Sequence, residues 1–101
     1  MTNHQTITWI FLATAMASKS GPAEVASISN AADAINHAVP TEEEIQSSMT
    51  WLTARGLVSK SGSKYGLTEL GVREYKEASK KTSVLMKIWS NLETALKKYQ
   101  T

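Results

Sequence analysis

The apolar positions in the first half of the chain follow the period of three successive helices. Residues 6–18 are apolar on almost every side, which is typical of a helix at the centre of its domain. Gly21 and Pro22 interrupt this segment. Because proline is favoured at the first position of a helix, a second helix should begin at Pro22. It is expected to run to about His37 and to stop before Pro40, since a residue ahead of proline avoids the helical region.

The third predicted helix begins at Thr41, only about three residues after the second, and two helices joined so tightly indicate a helix-turn-helix. It should end at Gly56, because glycine accepts the left-handed conformation of a helix cap. A β-hairpin should follow, with strands at residues 57–60 and 64–67 joined by a Ser-Gly-Ser turn. This order predicts a fold that is mainly α with a small β-hairpin.

The last segment, from Thr68 to about Tyr99, carries a heptad-like series that alternates steps of three and four. The series is Tyr75, Ala78, Thr82, Leu85, Trp89, Leu92, Leu96 and Tyr99. One long helix is predicted, although the polar stretch SKKTS in its middle leaves two helices open. The apolar seam either packs back on the first helix of the same chain or faces a second chain. A heptad seam implies a facing helix, which favours a homodimer through Leu85, Trp89, Leu92, Leu96 and Tyr99.

The order helix, helix, tight turn, helix, hairpin, helix resembles that of the winged helix-turn-helix domain. The likeness is strongest in the stretch WLTARGLVSKSGSKYGLTELG, which is similar to regulators of the MarR and PadR types. The positions that carry it are Leu52, Gly56, Leu57, Val58, Leu67, Thr68 and Gly71. The resemblance implies a winged-helix domain at residues 1–76 and a C-terminal helical extension at residues 77–101, expected to be the dimerisation element. The chain departs from the family in its longer second helix and its short hairpin with few charges.

In that family the third helix enters the major groove of DNA, and the wing, which is the β-hairpin, touches the backbone. By resemblance the helix would contribute Gln46, Ser47 and Thr50, and the wing would contribute Lys60 and Lys64. Glutamine, serine and threonine can all hydrogen-bond base edges, but they are equally ordinary on any helix that faces solvent. Two further cations near the wing, Arg55 and Arg73, are expected to add to the attraction for phosphate.

The charged residues are divided unevenly along the chain. Residues 1–54 contain one basic and five acidic side chains, whereas residues 55–101 contain ten basic and four acidic ones. Attraction to a polyanion would therefore come from the C-terminal half. The third helix begins with three glutamates, and Thr41 with Glu44 has the pattern of a capping box. Glu43 differs because it lies on the outward line of the helix, where it opposes phosphate but can accept a hydrogen bond from cytosine.

These features favour a DNA-binding transcriptional regulator in the cytoplasm, with duplex DNA and a second copy of the chain as partners. The alternative is a winged-helix protein–protein interaction module without DNA-binding activity. The basic wing supports the first hypothesis, and the acidic start of the third helix supports the second.

Several other classes of protein are not expected. The chain has no cysteine, so a disulfide, a cysteine-ligated zinc site and a thiol nucleophile are excluded. No metal-ligand cluster, phosphate loop or catalytic constellation is apparent, so neither enzyme activity nor a cofactor nor a metal is predicted. The apolar run near the N-terminus is shorter than the about 20 residues of a membrane span, and no membrane partner is predicted.

Overall fold

The chain folds into five α-helices and three short strands within residues 1–100, the part that the computed structural model describes. The helices are α1 (Asn3–Ala17), α2 (Val25–Asn36), α3 (Glu42–Ala54), α4 (Glu69–Ser79) and α5 (Leu85–Leu96), with a 3-10 helix at Lys97–Tyr99. The strands are β1 (Ala23–Glu24), β2 (Val58–Ser61) and β3 (Lys64–Leu67), in the antiparallel order β1-β3-β2. A mainly α fold with a small β element is therefore confirmed. None of these helices within residues 1–100 is both long and apolar enough to cross a bilayer.

Helix α1 lies at the centre of the fold, as its all-round apolar sequence predicts. Its residues from Thr8 to Ala15 are buried, and α2, α3, α5 and β3 pack around it. The Trp9 indole nitrogen donates a hydrogen bond to the Ala32 carbonyl of α2 at 2.9 Å. The helix begins three residues earlier than predicted, because Thr2 and Gln5 form a capping box ahead of it.

The sequence does not predict β1, and the expected helix start at Pro22 is wrong. Residues 23–24 instead pair with Tyr65 and Lys64 of β3, and α2 begins at Val25. A strand of two residues is too short to show a periodic pattern, while its pairing satisfies backbone groups that the first turn of a helix would leave open. The consequence is that β1 ties the hairpin to the connection between α1 and α2.

The connection between α2 and α3 is short, as predicted, but it spans residues 37–41 and is longer than the about three residues expected. His37 caps α2 in the left-handed conformation at a φ of 54°, and its N–H donates to the Asp33 carbonyl. The Thr41 hydroxyl accepts from the Glu44 N–H at 3.0 Å, and the Glu44 carboxylate accepts from the Thr41 N–H at 2.8 Å. The predicted capping box is therefore present, and one of the three glutamates stabilises the start of α3.

The predicted hairpin and the glycine cap before it are also confirmed. Gly56 follows α3 with a φ of 73°, and Gly62 in the hairpin turn has a φ of 63°. Both values lie in the left-handed region that glycine adopts without a steric penalty. Strands β2 and β3 begin and end within one residue of the predicted bounds.

The C-terminal segment forms two helices and not one long helix. Helix α4 ends at Ser79, and α5 begins at Leu85. In the connection the Thr82 hydroxyl accepts from the Val84 N–H at 3.1 Å. The Asn91 amide donates to a carbonyl at the end of α4, at 3.0 Å, so α5 returns alongside α4. The prediction of a long C-terminal helix is thereby corrected.

Helix α5 packs on α1 of its own chain. The Trp89 ring stacks on the Trp9 ring with 6.2 Å between the ring centroids. The Trp89 indole nitrogen donates to the Gln5 carbonyl at 3.1 Å. Leu92 and Leu96 are completely buried in the core that surrounds α1. Residues on both sides of the boundary predicted at residue 76 therefore share one core.

The predicted dimer seam is corrected by this packing. Trp89, Leu92 and Leu96 are internal, whereas Leu85 and Tyr99 are half-buried at the edge of the same core. A heptad series requires a facing helix but does not specify whose helix it is, and here α1 fills that position. A homodimer stays a prediction and would need another surface.

Gly71 provides a test of how closely α4 approaches the connection between α3 and β2. A Cβ atom on Gly71 would overlap the Leu57 carbonyl oxygen, which belongs to backbone that cannot move aside cheaply. We expect Gly71→Ala to lower the free energy of unfolding by about 2–3 kcal/mol, despite the better helix propensity of alanine. Urea denaturation measures the difference.

Gly66→Ala is the matched control in the neighbouring strand. The nearest atom to a Cβ at Gly66 is Pro22 Cα at 3.7 Å, which is an ordinary contact distance. This variant should stay within about 1 kcal/mol of the wild type. Equal losses for the two variants would contradict the close approach at Gly71.

Candidate nucleic-acid interface

A groove of about 480 Å³ runs between α3 and the β2–β3 hairpin. Met49, Val58 and Tyr65 are almost fully buried and form its floor. The exposed residues at its edges are polar, and they come from both elements: Gln46 and Thr50 from α3, Ser59 and Lys60 from β2. The groove therefore combines the outward face of α3 and the adjoining part of the hairpin in a single surface.

The strand register explains why only one of the two wing lysines reaches this groove. Lys60 lies directly opposite Tyr65 in the ladder, so the two side chains share the face that meets α3. The Lys60 ammonium lies 5.8 Å from the centroid of the Tyr65 ring. Side chains alternate along a strand, so Lys64, next to Tyr65, belongs to the opposite face. Lys64 lines a separate shallow groove beside Glu24, with which it is paired across β1 and β3.

The outward residues of α3 fall into two rows. Gln46 and Thr50, one helical turn apart, line the groove beside the hairpin. Glu43 and Ser47 form the other row and line a pocket of about 470 Å³ beside the N-terminal half of α1. All four side chains are exposed, but they are not equivalent, because the row that contains Glu43 lies on the side away from the hairpin.

The hydrogen bonds within α3 determine what each side chain offers to a ligand. The Thr50 hydroxyl donates to the main-chain carbonyl of Gln46 at 2.9 Å, so the hydroxyl proton is used inside the helix while the hydroxyl oxygen can still accept a hydrogen bond. The Gln46 side-chain amide makes no hydrogen bond to the residues that the structure describes, which leaves its donor and its acceptor available. Among those residues Lys60 is the charged one that lines the groove.

Arg55 does not serve as a free phosphate contact. Its guanidinium lies over the Trp51 ring, 4.1 Å from the centroid, and its Nη1 donates to the Trp51 carbonyl at 3.3 Å. Its Nε donates to the Tyr99 carbonyl at 2.9 Å. The half-buried side chain thus holds the end of α3 against the 3-10 helix at Lys97–Tyr99, which corrects its assignment to DNA.

Arg73 is exposed on α4, where its guanidinium forms an ion pair with Glu69 at 4.0 Å. It does not line the groove between α3 and the hairpin. An exposed pair of this kind contributes little to stability, so the cation can exchange its partner easily.

The eight predicted contacts therefore divide into three groups. Three of them line the groove, two lie on the other row of α3, and three cations lie elsewhere: Gln46, Thr50 and Lys60; Glu43 and Ser47; Arg55, Lys64 and Arg73.

A carboxylate that the sequence reasoning missed, Glu74, anchors the C-terminal residues. Its Oε2 accepts from the Tyr99 hydroxyl at 2.5 Å and from the Lys98 ammonium at 2.7 Å. Glu74 occupies the buried stripe of α4 between Gly71 and Ala78, and an acidic residue in such a stripe was the available signal. Its partners lie more than 20 residues further along the chain, so periodicity alone does not reveal them.

This cluster changes the acidity of its members. Burial by itself raises the pKa of Glu74, but the hydrogen bonds from Lys98 and Tyr99, with their favourable charge interactions, lower that pKa overall. Burial and the bond to the Glu74 carboxylate raise the pKa of Tyr99 to about 12. The Tyr99 phenol is therefore protonated throughout the neutral range, and the Glu74 carboxylate is ionised there.

Glu74→Gln tests the cluster through its pH dependence. A carboxyl whose pKa is lowered by folding stabilises the protein above its ordinary pKa, and that stabilisation is lost as the pH falls through the folded value. At pH 7 we expect the free energy of unfolding of the variant to be about 1–2 kcal/mol lower than that of the wild type. Between about pH 4.5 and pH 3 the free energy of unfolding should fall by less in the variant than in the wild type, because the variant has no carboxylate to protonate at this position. Urea denaturation at these pH values measures both effects.

Glu77→Gln is the control on the same helix. Glu77 is exposed and pairs with Lys80 at 3.9 Å, so its replacement should change the stability by less than about 0.5 kcal/mol at either pH. If Glu74→Gln and Glu77→Gln showed the same acid dependence, the cluster would have no special role.

In residues 1–100 no group of three or more histidine, aspartate or glutamate side chains is placed to hold a metal ion. The groove between α3 and the hairpin is the candidate site because it brings together three of the predicted contacts, Gln46, Thr50 and Lys60. Comparison of the chain with models of protein families, with curated proteins and with solved structures found no match.

Proposed function

We propose that this protein is a small winged-helix regulator that binds duplex DNA through α3 and the β2–β3 hairpin. The observation that carries the proposal is the continuous surface formed by Gln46 and Thr50 on α3 and by Lys60 on the hairpin. An α-helix with its side chains is about 10–12 Å across, which suits the about 12 Å width of the DNA major groove. In this arrangement α3 faces base edges and Lys60 faces the phosphate backbone.

The topology supports this arrangement. The helix, short connection, helix and hairpin follow in the order that the winged-helix resemblance implies. The hairpin is held along β3 by β1, so it is fixed to the helices on one side and meets α3 on the other. A wing in a fixed position orients a helix on DNA, because backbone contacts set the register in which base edges are read.

The charge distribution predicts modest affinity. Lys60 is the cation on the groove, and the net charge of the chain is only +2. Few phosphate contacts per chain imply a shallow salt dependence and a nonspecific dissociation constant in the range of about 1–100 μM at physiological salt. The proposed role belongs in the cytoplasm, where such regulators meet DNA.

One observation favours a second candidate, a winged-helix protein–protein interaction module. Arg55 bonds to Tyr99, and Lys64 lies on the opposite face of the hairpin, so neither adds positive charge beside α3. The exposed Lys60 ammonium on the hairpin side of α3 is accompanied by the exposed Glu43 carboxylate on the other side. A surface of nearly balanced charge binds a polyanion less strongly than the sequence suggested. The two candidates differ in one measurable property, which is binding to DNA.

The hairpin lysines provide a matched pair of variants for that measurement. Wild type, Lys60→Ala and Lys64→Ala are titrated with a random-sequence duplex across a salt series, with fluorescence anisotropy as the readout. Lys60→Ala should weaken binding and reduce the slope of log K against log salt by about one, since one phosphate contact is lost. Lys64→Ala, on the opposite face of the same hairpin, should change the slope much less.

The outcomes separate the hypotheses. Failure of the wild type to bind duplex DNA even at low salt would refute the DNA-binding proposal and leave the interaction module. Equal slopes for the two variants would show that the groove between α3 and the hairpin is not the contact surface.

Glu43→Gln tests the electrostatic cost of the Glu43 carboxylate. Removing a carboxylate from the exposed face of α3 should strengthen DNA binding about fivefold, because unit charges about 4 Å apart interact by about 1 kcal/mol in water. Asp33→Asn, an exposed carboxylate on α2, is the control that removes the same charge away from α3. The same gain in both variants would reflect net charge alone and would contradict a local role for Glu43.

A further inference from the structure

We propose that Gln46 determines the sequence specificity of this interface and, together with Thr50, selects an A·T base pair in the major groove. This inference rests on the proposed DNA-binding function and adds the class of site that is read. It assigns different roles to the side chains around the groove: Gln46 and Thr50 contact the base pair, and Lys60 positions the backbone.

The chemistry of Gln46 matches adenine. Its side chain is exposed at the edge of the groove, and its amide carries two N–H donors and a carbonyl acceptor. Adenine presents an acceptor, N7, beside a donor, the N6 amino group, in the major groove. A glutamine amide can bond both groups at once, whereas guanine presents two acceptors there and cannot satisfy the glutamine carbonyl.

The internal hydrogen bond of Thr50 restricts what this residue can read. Its hydroxyl donates to the main-chain carbonyl of Gln46 at 2.9 Å, so the exposed part of Thr50 offers a methyl group and an oxygen acceptor. A methyl group packs against the C5-methyl group of thymine, and the acceptor is suited to an exocyclic amino group. Thr50 lies one turn from Gln46 on the same side of α3, so both side chains approach neighbouring base edges.

The other exposed residues of α3 are less discriminating. Ser47 lies in the row away from the hairpin, and a hydroxyl accepts or donates equally well to several bases. Glu43 lies in the same row, further from the wing that would orient the helix. Lys60 is a cation at the opposite edge of the groove, where it can reach phosphate without a preference for sequence.

Selection of bound duplexes from a randomised library tests the assignment. The wild type should enrich adenine at one position of the recovered site. Gln46→Ala should lose that preference by about 5- to 150-fold and keep its nonspecific affinity, because a bidentate base contact is lost and no phosphate contact is. Gln46→Arg should shift the preference at the same position towards guanine, whose two acceptors match a guanidinium. Ser47→Ala is the matched control on α3 and should keep the wild-type preference.

The possible results distinguish this inference from the function on which it rests. Absence of binding to any duplex by the wild type overturns both. Binding by the wild type with a site preference that neither Gln46 variant alters overturns the role of Gln46 and leaves DNA binding intact. The Gln46 side chain is exposed and makes no hydrogen bond to the residues that the structure describes, and its main-chain bond to Thr50 does not depend on the side chain. Circular dichroism of each variant should therefore match the wild type and exclude misfolding as the cause.

Discussion

The burial of α1 is the constraint on which the rest of the structure depends. A helix that is apolar on almost every side must be covered on every side, and burying a large apolar side chain contributes about 1.5–3 kcal/mol. The stacked rings of Trp9 and Trp89 close the side that α2 and α3 leave open. Each indole N–H donates a hydrogen bond to a backbone carbonyl within 3.1 Å, which offsets the cost of removing these polar groups from water. The C-terminal helix is consequently part of the core.

Covering α1 also decides which surface remains for a partner. Helix α3 uses Ile45, Met49 and Leu52 to cover α1, so its opposite face is left to solvent. The hairpin lies beside that face and is tied down by β1 along its other edge. The shape of the groove is therefore fixed by the packing of α3 and the hairpin. A preformed surface loses little conformational entropy when it binds a partner.

The parts of the fold that follow from local chemistry could be predicted, and the parts that depend on distant partners could not. The cap at Thr41, the turn glycines and the hairpin each depend on a few neighbouring residues. The return of α5 to α1 depends on a seam whose periodicity is the same for an internal and an external partner. The engagement of Arg55 with Tyr99, 44 positions away, has no local signal. The separation of Lys60 from Lys64 could have been predicted, since an even spacing of four across a two-residue turn places the two side chains on different faces of the ladder.

The acidic start of α3 is best understood through its position along the helix. Carboxylates in the first turn stabilise a helix because they face the positive end of its dipole, and Glu44 is also held in the cap. Glu43 contributes to the same stabilisation, but it points along the row away from the hairpin. The residues suited to base edges, Gln46 and Thr50, begin one turn later and lie beside the wing. The helix can thus keep the stability of an acidic first turn while the proposed reading surface lies in its second and third turns, where the carboxylates oppose DNA least.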